Sequence, residues 1–483
     1  MPIKLAKTVA RFVVLVVAIV AALWVYRGYL ARSLPELQVW HTHEVESEFR
    51  EDDFPDGITF DQYKELEEQL FDELDDAVYY NAKGLFNRYN KASEAFPGND
   101  GQQWNRSFEL HSDHLRGGVL FIHGASDSPY STLSIAKLFN EAGMYVLSVR
   151  LPGNGTIPSG LRDARLDDWL AITRMGVSHV RKTIGEDLPF YIAGYSVGGA
   201  LALDYTIDSL DDEAMDTPAR LFLYTPAIGV SAAARFSSWD LALSRLPVFE
   251  KFTWLTVEPE FDPYKFNSFA KNAGHITYLL TERLRKKFIA LTDKSELPPV
   301  ISFQSLVDST IKVGALVNQF YKNLPDNGSE LVLFDINRRD DIEHFMKNTE
   351  QNLIGDLEIG DLRFHYTLVT NTSGDSIEVL ARTRAAGATN FEAAPLNMKW
   401  PNSVYSLSHV SLPFNSDDRW YGNIESPNSS LGTLAPRGET AILRTPIARF
   451  MRLRYNPFFD YLAERTLAFC EACDSEQERP PSN

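Results

Sequence analysis

The chain has 483 residues, a formal net charge of −18, and 44% hydrophobic against 23% charged residues. That hydrophobic share supports a sizeable globular core, and the length exceeds one ordinary domain. The acidic balance excludes nucleic acid as a partner and excludes charge-driven adhesion to anionic lipid. The two cysteines, Cys470 and Cys473, stand in a C-x-x-C spacing near the C-terminus. With no second pair or nearby histidine pair they fall short of a zinc ligand set, so no metal is expected. Two readings stay open for them: free thiols, or one local disulfide in an oxidising compartment.

In chain order, Phe12 to Tyr26 is a run of fifteen apolar residues. As a helix it spans roughly 22 Å, against a hydrocarbon core of about 30 Å. Val9 and Ala10 lengthen it if Arg11 snorkels, and Trp24 and Tyr26 suit an interface. A signal peptide and an uncleaved anchor compete, and the lack of a small-residue cleavage site favours the anchor. Residues 1–32 are therefore expected to be a single-pass membrane helix. The slight excess of basic residues before the run places the rest of the chain in the periplasm or otherwise outside the cytoplasm.

Residues 33–109 read as an acidic, partly helical linker. Between 44 and 76 there are fifteen acidic residues against Arg50 and Lys64. Thr59 and Gln62 have capping-box spacing. Phe60, Tyr63, Leu66, Leu70, Leu74 and Val78 then follow with helical periodicity. The simplest reading of the charges is a solvated helix face, on a helix packed on the main domain or standing off a membrane.

From Leu110 strands alternate with helices: apolar runs at 118–122, 145–149, 190–193, 220–225, 299–306 and 330–334, with helical patterns at 132–141, 167–181 and 199 onward. Such alternation predicts an α/β domain, here 110–475, with a mostly parallel sheet and right-handed crossovers. Ligands of such sheets bind where the strands end. Two stretches break the rhythm. Residues 231–297, with Trp239 and Trp254, are expected to form a helical lid insertion over that rim. Residues 355–402 are expected to form a β-hairpin insertion, with strands at 361–370 and 376–384. The tail 476–483 is polar and expected to be disordered.

The centre of the pattern is LPFYIAGYSVGGALAL, 188–203. Its G-x-S-x-G sits between an apolar strand and a helical run, which is the setting of a nucleophile elbow. The glycines at 194 and 198 admit the sharp turn that lifts Ser196 to the start of a helix. HGASDSPY at 123–130, RLPGNGTIPSGL at 150–161, DDWL at 167–170 and FQSLVDSTI at 303–311 complete the set. Together these segments resemble the α/β-hydrolase superfamily, and within it the branch of carboxylesterases, monoacylglycerol lipases and serine-aminopeptidase-like enzymes. The resemblance runs from about 117 to 311 and on to the loop of His409. One departure stands out: Asn154 replaces the histidine of the family's L-P-G-H-G-T, a structural position where little chemical consequence is expected.

The resemblance implies a serine hydrolase of carboxylic esters, acylglycerol or another apolar acyl ester, with no cofactor. In this fold the nucleophile is followed in the chain by the acid and then the base. Ser196 is the expected nucleophile and Asp308 the acid, with Asp293 in reserve. His409, in YSLSHVSLPF, is the expected base, and His344 is the alternative base. The oxyanion hole is expected from the N–H groups of Val197 and, by the H-G-x resemblance, Ala125. His123 is expected to order its loop rather than react. Thioesterase and peptidase chemistry remain open on the same residues, as does a non-catalytic membrane-anchored scaffold. The expected partners are a small-molecule or lipid ester and the membrane.

Overall fold

A computed structural model describes residues 2–99, 101–229, 247–341, 351–402, 404–423, 449 and 452–473. Side chains of the first helix are described for part of its length. A ten-stranded sheet runs through the molecule in the order β1-β3-β2-β4-β5-β8-β9-β10-β11-β12. Its strands are β1 Phe108–Leu110, β2 Gly117–Ile122, β3 Met144–Val149, β4 Phe190–Tyr195, β5 Arg220–Tyr224, β8 Val300–Ser305, β9 Glu330–Phe334, β10 His365–Asn371, β11 Glu378–Arg384 and β12 Glu392–Lys399. A separate two-stranded pair joins β6 Trp254–Thr256 to β7 Phe269–Ala270. From β3 to β10 every neighbour is parallel. All residues of β2, β3, β4, β8 and β9 are buried, as continuous apolar runs covered on both faces should be. Helices Leu133–Glu141, Leu166–Ile184, Val197–Asp211 and Phe459–Phe469 cover the sheet.

Topology places the functional crevice. The chain goes from β2 outward to β3, then returns past β2 to β4. Strand order reverses between β2 and β4, so the loops that leave these two strands border an open cleft.

Three expectations can be compared with these elements. Residues 355–402 do not stand apart: β10 pairs in parallel with β9, and β11 and β12 continue the main sheet antiparallel. Periodicity identified two strands there, while β12, with four exposed residues at its start, lacks the alternation that marks a half-buried strand. The acidic helix takes the packed one of its two readings, with Asp61, Glu65, Glu68, Asp72 and Asp76 on its exposed face. Helix Phe60–Ala77 is closed at its start by a reciprocal cap between Thr59 and Gln62. It buries Phe60, Tyr63, Leu70 and Leu74 together with Glu67. The first helix, Pro2–Ser33, spans the apolar run, and Phe12, Val14 and Val17 on it are more than 60% exposed. Among the described residues, however, no helix is long and apolar enough to cross a membrane. The spanning helix expected over 1–32 is therefore not established by them.

Of the segment expected as a lid, 231–246 lies outside the described residues. The remainder holds Pro247–Thr253, the β6–β7 pair and helix Lys271–Ala290. That helix is tied to the back of helix Val197–Asp211 by Arg283 and Lys287 on the fully buried carboxylate of Asp204. Cys470 and Cys473 form a disulfide, which resolves the two readings of that pair. The tail 476–483 lies outside the described residues.

Candidate active site

Ser196 stands between β4 and helix Val197–Asp211 with φ 54° and ψ −115°. A left-handed backbone at a non-glycine residue costs about 1–3 kcal/mol. Here it is held by three backbone bonds: Ser196 N–H to the Tyr224 carbonyl at 2.9 Å, and the Ser196 carbonyl to the N–H of Ala227 at 2.9 Å and of Gly199 at 3.1 Å. The flanking glycines are steric necessities. A Cβ on Gly198 would stand 1.9 Å from the Ile122 carbonyl oxygen, and one on Gly194 would stand 2.4 Å from the Gly198 backbone. The turn thus packs directly on the end of β2. Val197, the first residue of the helix, presents its N–H where the helix has no internal acceptor for it.

His409 and Asp308 meet across 101 positions of sequence, with His409 Nδ1 at 2.7 Å from Asp308 Oδ2. The same carboxylate accepts from Gln304 Nε2 at 2.9 Å and from the N–H groups of Thr310 at 2.7 Å and Ile311 at 3.0 Å. Burial pushes the Asp308 carboxyl up. The charge and hydrogen bond of His409, with the two backbone donors, outweigh that and hold it below the usual carboxylate range. A charged Asp308 fixes the proton of His409 on Nδ1 and leaves Nε2 free to accept. The imidazole lies against the elbow: its ring centroid is 5.4 Å from that of Tyr195, and the Tyr195 hydroxyl donates to the His409 carbonyl at 3.4 Å. The structure therefore brings Ser196, Asp308, His409 and Val197 to one rim. His344 lies outside the described residues. Asp293, the reserve acid, sits after helix Lys271–Ala290 and bonds to Ser295. His365 opens β10 at the opposite end of its strand.

Opposite the elbow, the loop leaving β2 carries His123, Gly124, Ala125, Ser126 and Asp127. Gly124 is needed because a Cβ there would lie 2.7 Å from Asp127 Oδ2 and 3.1 Å from the Ser196 Cβ. Those distances place Gly124, the residue before Ala125, next to the nucleophile. His123 Nδ1 lies 2.7 Å from the Gly124 carbonyl, and His123 Nε2 accepts the Leu151 N–H at 3.0 Å. These partners require the neutral ring protonated on Nδ1, and burial lowers its pKa to about 3. Ser126 adopts φ 65°, and its N–H donates to Asn154 Oδ1 at 2.8 Å.

Asn154 has more consequence than its sequence setting suggested. It fixes the residue beside Ala125, and it is itself held by a buried arginine of its own loop. Arg150, 1% exposed, donates to the Asn154 carbonyl at 3.2 Å, to both Glu48 oxygens at 2.9 Å and to Glu67 at 2.8 Å. Glu48 also accepts the Gly153 N–H at 2.8 Å. The acidic region therefore braces the loop 150–155, and that loop braces the loop 123–127. No sequence signal separated Glu48 and Glu67 from thirteen other acids, although the buried stripe of helix Phe60–Ala77 passes through position 67.

Residues 119–322 match the profile of the alpha/beta hydrolase family. Over that span the chain is similar to alpha/beta hydrolases. A thermostable monoacylglycerol lipase from Bacillus sp. (strain H-257) is 29% identical over 111 residues, covering 23% of this chain and 43% of the relative. The chain thus spans less than half the length of that curated relative. Solved structures similar to this chain include a metagenome-derived lipolytic enzyme from the LipS and LipT pair, at 17% identity, 52% and 94% coverage and a TM-score of 0.39. Another is a monoacylglycerol lipase of Paleococcus ferrophilus, at 17% identity, 47% and 88% coverage and a TM-score of 0.36.

Proposed function

We propose that this protein is a serine hydrolase that cleaves carboxylic esters through an acyl-enzyme. The observation that carries the reading is a histidine–carboxylate pair, 2.7 Å apart, whose imidazole lies against Tyr195, the residue before the strained elbow serine. Ser196 attacks the ester carbonyl while His409 Nε2 takes its proton. Asp308 keeps the ring oriented and stabilises the imidazolium. The N–H groups of Val197 and Ala125 receive the negative charge on the carbonyl oxygen, each contributing roughly 10²–10³ in rate. His409 returns the proton to the leaving alcohol, and water releases the acid by the same route. The likeness to a monoacylglycerol lipase supports an apolar acyl part. The segment 247–297 would serve as part of a lid: its Phe266 N–H already donates to the Ser126 carbonyl at 2.8 Å, beside Ala125.

The first helix is proposed as a single-pass anchor that leaves the hydrolase domain outside the cytoplasm. Its uninterrupted apolar run and the exposed side chains of Phe12, Val14 and Val17 support that, as does a disulfide at the other end of the chain. Hydrolysis of a short p-nitrophenyl ester by the wild type and by Ser196→Ala tests the chemistry. Retained turnover in the variant refutes the assignment. Recovery of a chain lacking 1–33 from the membrane fraction, after carbonate washing, would refute the anchor.

A further inference from the structure

A half-buried cavity near the loop of His409 is walled in part by Asp127, Lys265, Val410, Arg449, Arg452 and Arg454. Two of these fix its place. Val410 follows His409 in the chain, and Asp127 is the residue whose carboxylate, with the Ser196 Cβ, closes on Gly124. The cavity thus shares a wall with the crevice of Ser196 and His409.

Its charges do not balance. Lys265 Nζ is 2.8 Å from Asp127, Arg449 is 3.0 Å from Glu258, and Arg454 is 3.9 Å from Asp262. Asp262 is further engaged by the Tyr421 hydroxyl and the N–H groups of Tyr264 and Lys265. Arg452 has no ion pair or hydrogen bond among the described residues, although it lines the same wall. Burial, with the like charges of Arg449 and Arg454, lowers its pKa, while Tyr195 and Asp262 pull the other way. A half-buried guanidinium without a partner destabilises a fold unless something pairs with it.

We propose that Arg452 binds an anionic group of the substrate, so that the ester cleaved here carries one carboxylate or phosphate on its alcohol part. The inference rests on the hydrolase reading above. One uncompensated guanidinium matches one anion, and its planar fork suits the two oxygens of either group. The alcohol part is indicated because the cavity lies on the side of His409, where the proton returns to the departing oxygen. A chain of net charge −18 repels an anionic substrate at long range, so a local cation near the loop of His409 supplies the attraction that the whole surface does not.

The test compares three esters of one acyl chain: glycerol monobutyrate, butyryl glycerol phosphate and 3-butyryloxypropanoate. The wild type should prefer at least one anionic ester over the neutral one by about tenfold or more in kcat/KM. Arg452→Gln should lose that preference and Arg452→Lys should keep part of it. Arg285→Gln, at an exposed pair with Glu282, is the control that should keep all of it. The phosphate and carboxylate arms identify which anion is used. Inorganic phosphate should also raise the Tm of the wild type and not that of Arg452→Gln, which in phosphate-free buffer should melt no lower than the wild type. A wild-type ratio at or below one, or a ratio unchanged in Arg452→Gln, overturns the proposal. If no ester turns over and no fluorophosphonate labels the chain, the hydrolase reading fails, and the phosphate-dependent Tm alone decides whether Arg452 binds anions.

Discussion

The two flanks of Ser196 are built in opposite ways, and each turns on an arginine. On the oxyanion flank, Arg150 is buried among Glu48, Glu67 and the Asn154 carbonyl, and every contact runs toward holding loop 123–127 still. On the base flank, Arg452 faces a cavity without a partner among the described residues, and Val410, the residue after His409, lines the same cavity. A donor for developing charge must be in place before the reaction, so rigidity is useful there. A wall that meets substrate must leave its charge unspent. The contrast separates residues that hold the site from residues that contact what enters it.

The largest effects are expected at the catalytic pair of the base flank. His409→Ala and Asp308→Asn should each lower kcat by roughly 10³–10⁴ with the melting temperature little changed, which steady-state kinetics beside thermal unfolding would read. If His344→Ala is the more damaging histidine variant, the base flank has been misassigned. Next comes the brace. Arg150→Ala leaves Glu48 and Glu67 buried without a cation and should cost about 3–5 kcal/mol in urea unfolding. A loss below 1 kcal/mol would mean that the acidic region does not hold the domain. Asn154→Ala should lower kcat by about 10- to 100-fold while leaving KM within a few-fold, because it frees the Ser126 N–H and with it Ala125. An unchanged kcat would remove Asn154 from the account.

The smallest effect is a pH dependence on the braced side. His123 is neutral in the fold, with a pKa lowered to about 3 against an ordinary value of 6.5. The unfolded chain therefore binds more protons between those values. The contribution is fully present above pH 6.5 and is lost as pH falls toward 3, at up to about 1.4 kcal/mol per pH unit. His123→Gln should flatten that slope in urea titrations at pH 6.5 and 4.5. An equal slope in both proteins would show that another group titrates.

Legibility in the sequence followed the range of the interactions. The elbow was readable because strand, glycine-spaced turn and helix are local, and the clashes at Gly194 and Gly198 restate that locality as distances. Asp308 was readable from the strand it follows. His409 could be placed only by the likeness of its loop, since three strands that prolong the sheet separate it from β9. Glu48, Glu67 and Arg150 were illegible because burial of a charge depends on a partner about a hundred residues away, and one acid in an acidic run looks like the next. Arg452 was illegible for the converse reason: what distinguishes it is the lack of a partner among the described residues.

The most direct measurement is the site of covalent modification. The protein is treated with a fluorophosphonate, digested and mapped by mass spectrometry, alongside His409→Ala. The account predicts one adduct, on Ser196, formed far more slowly in the variant. An adduct elsewhere, none at all, or equal rates in the two proteins would contradict it.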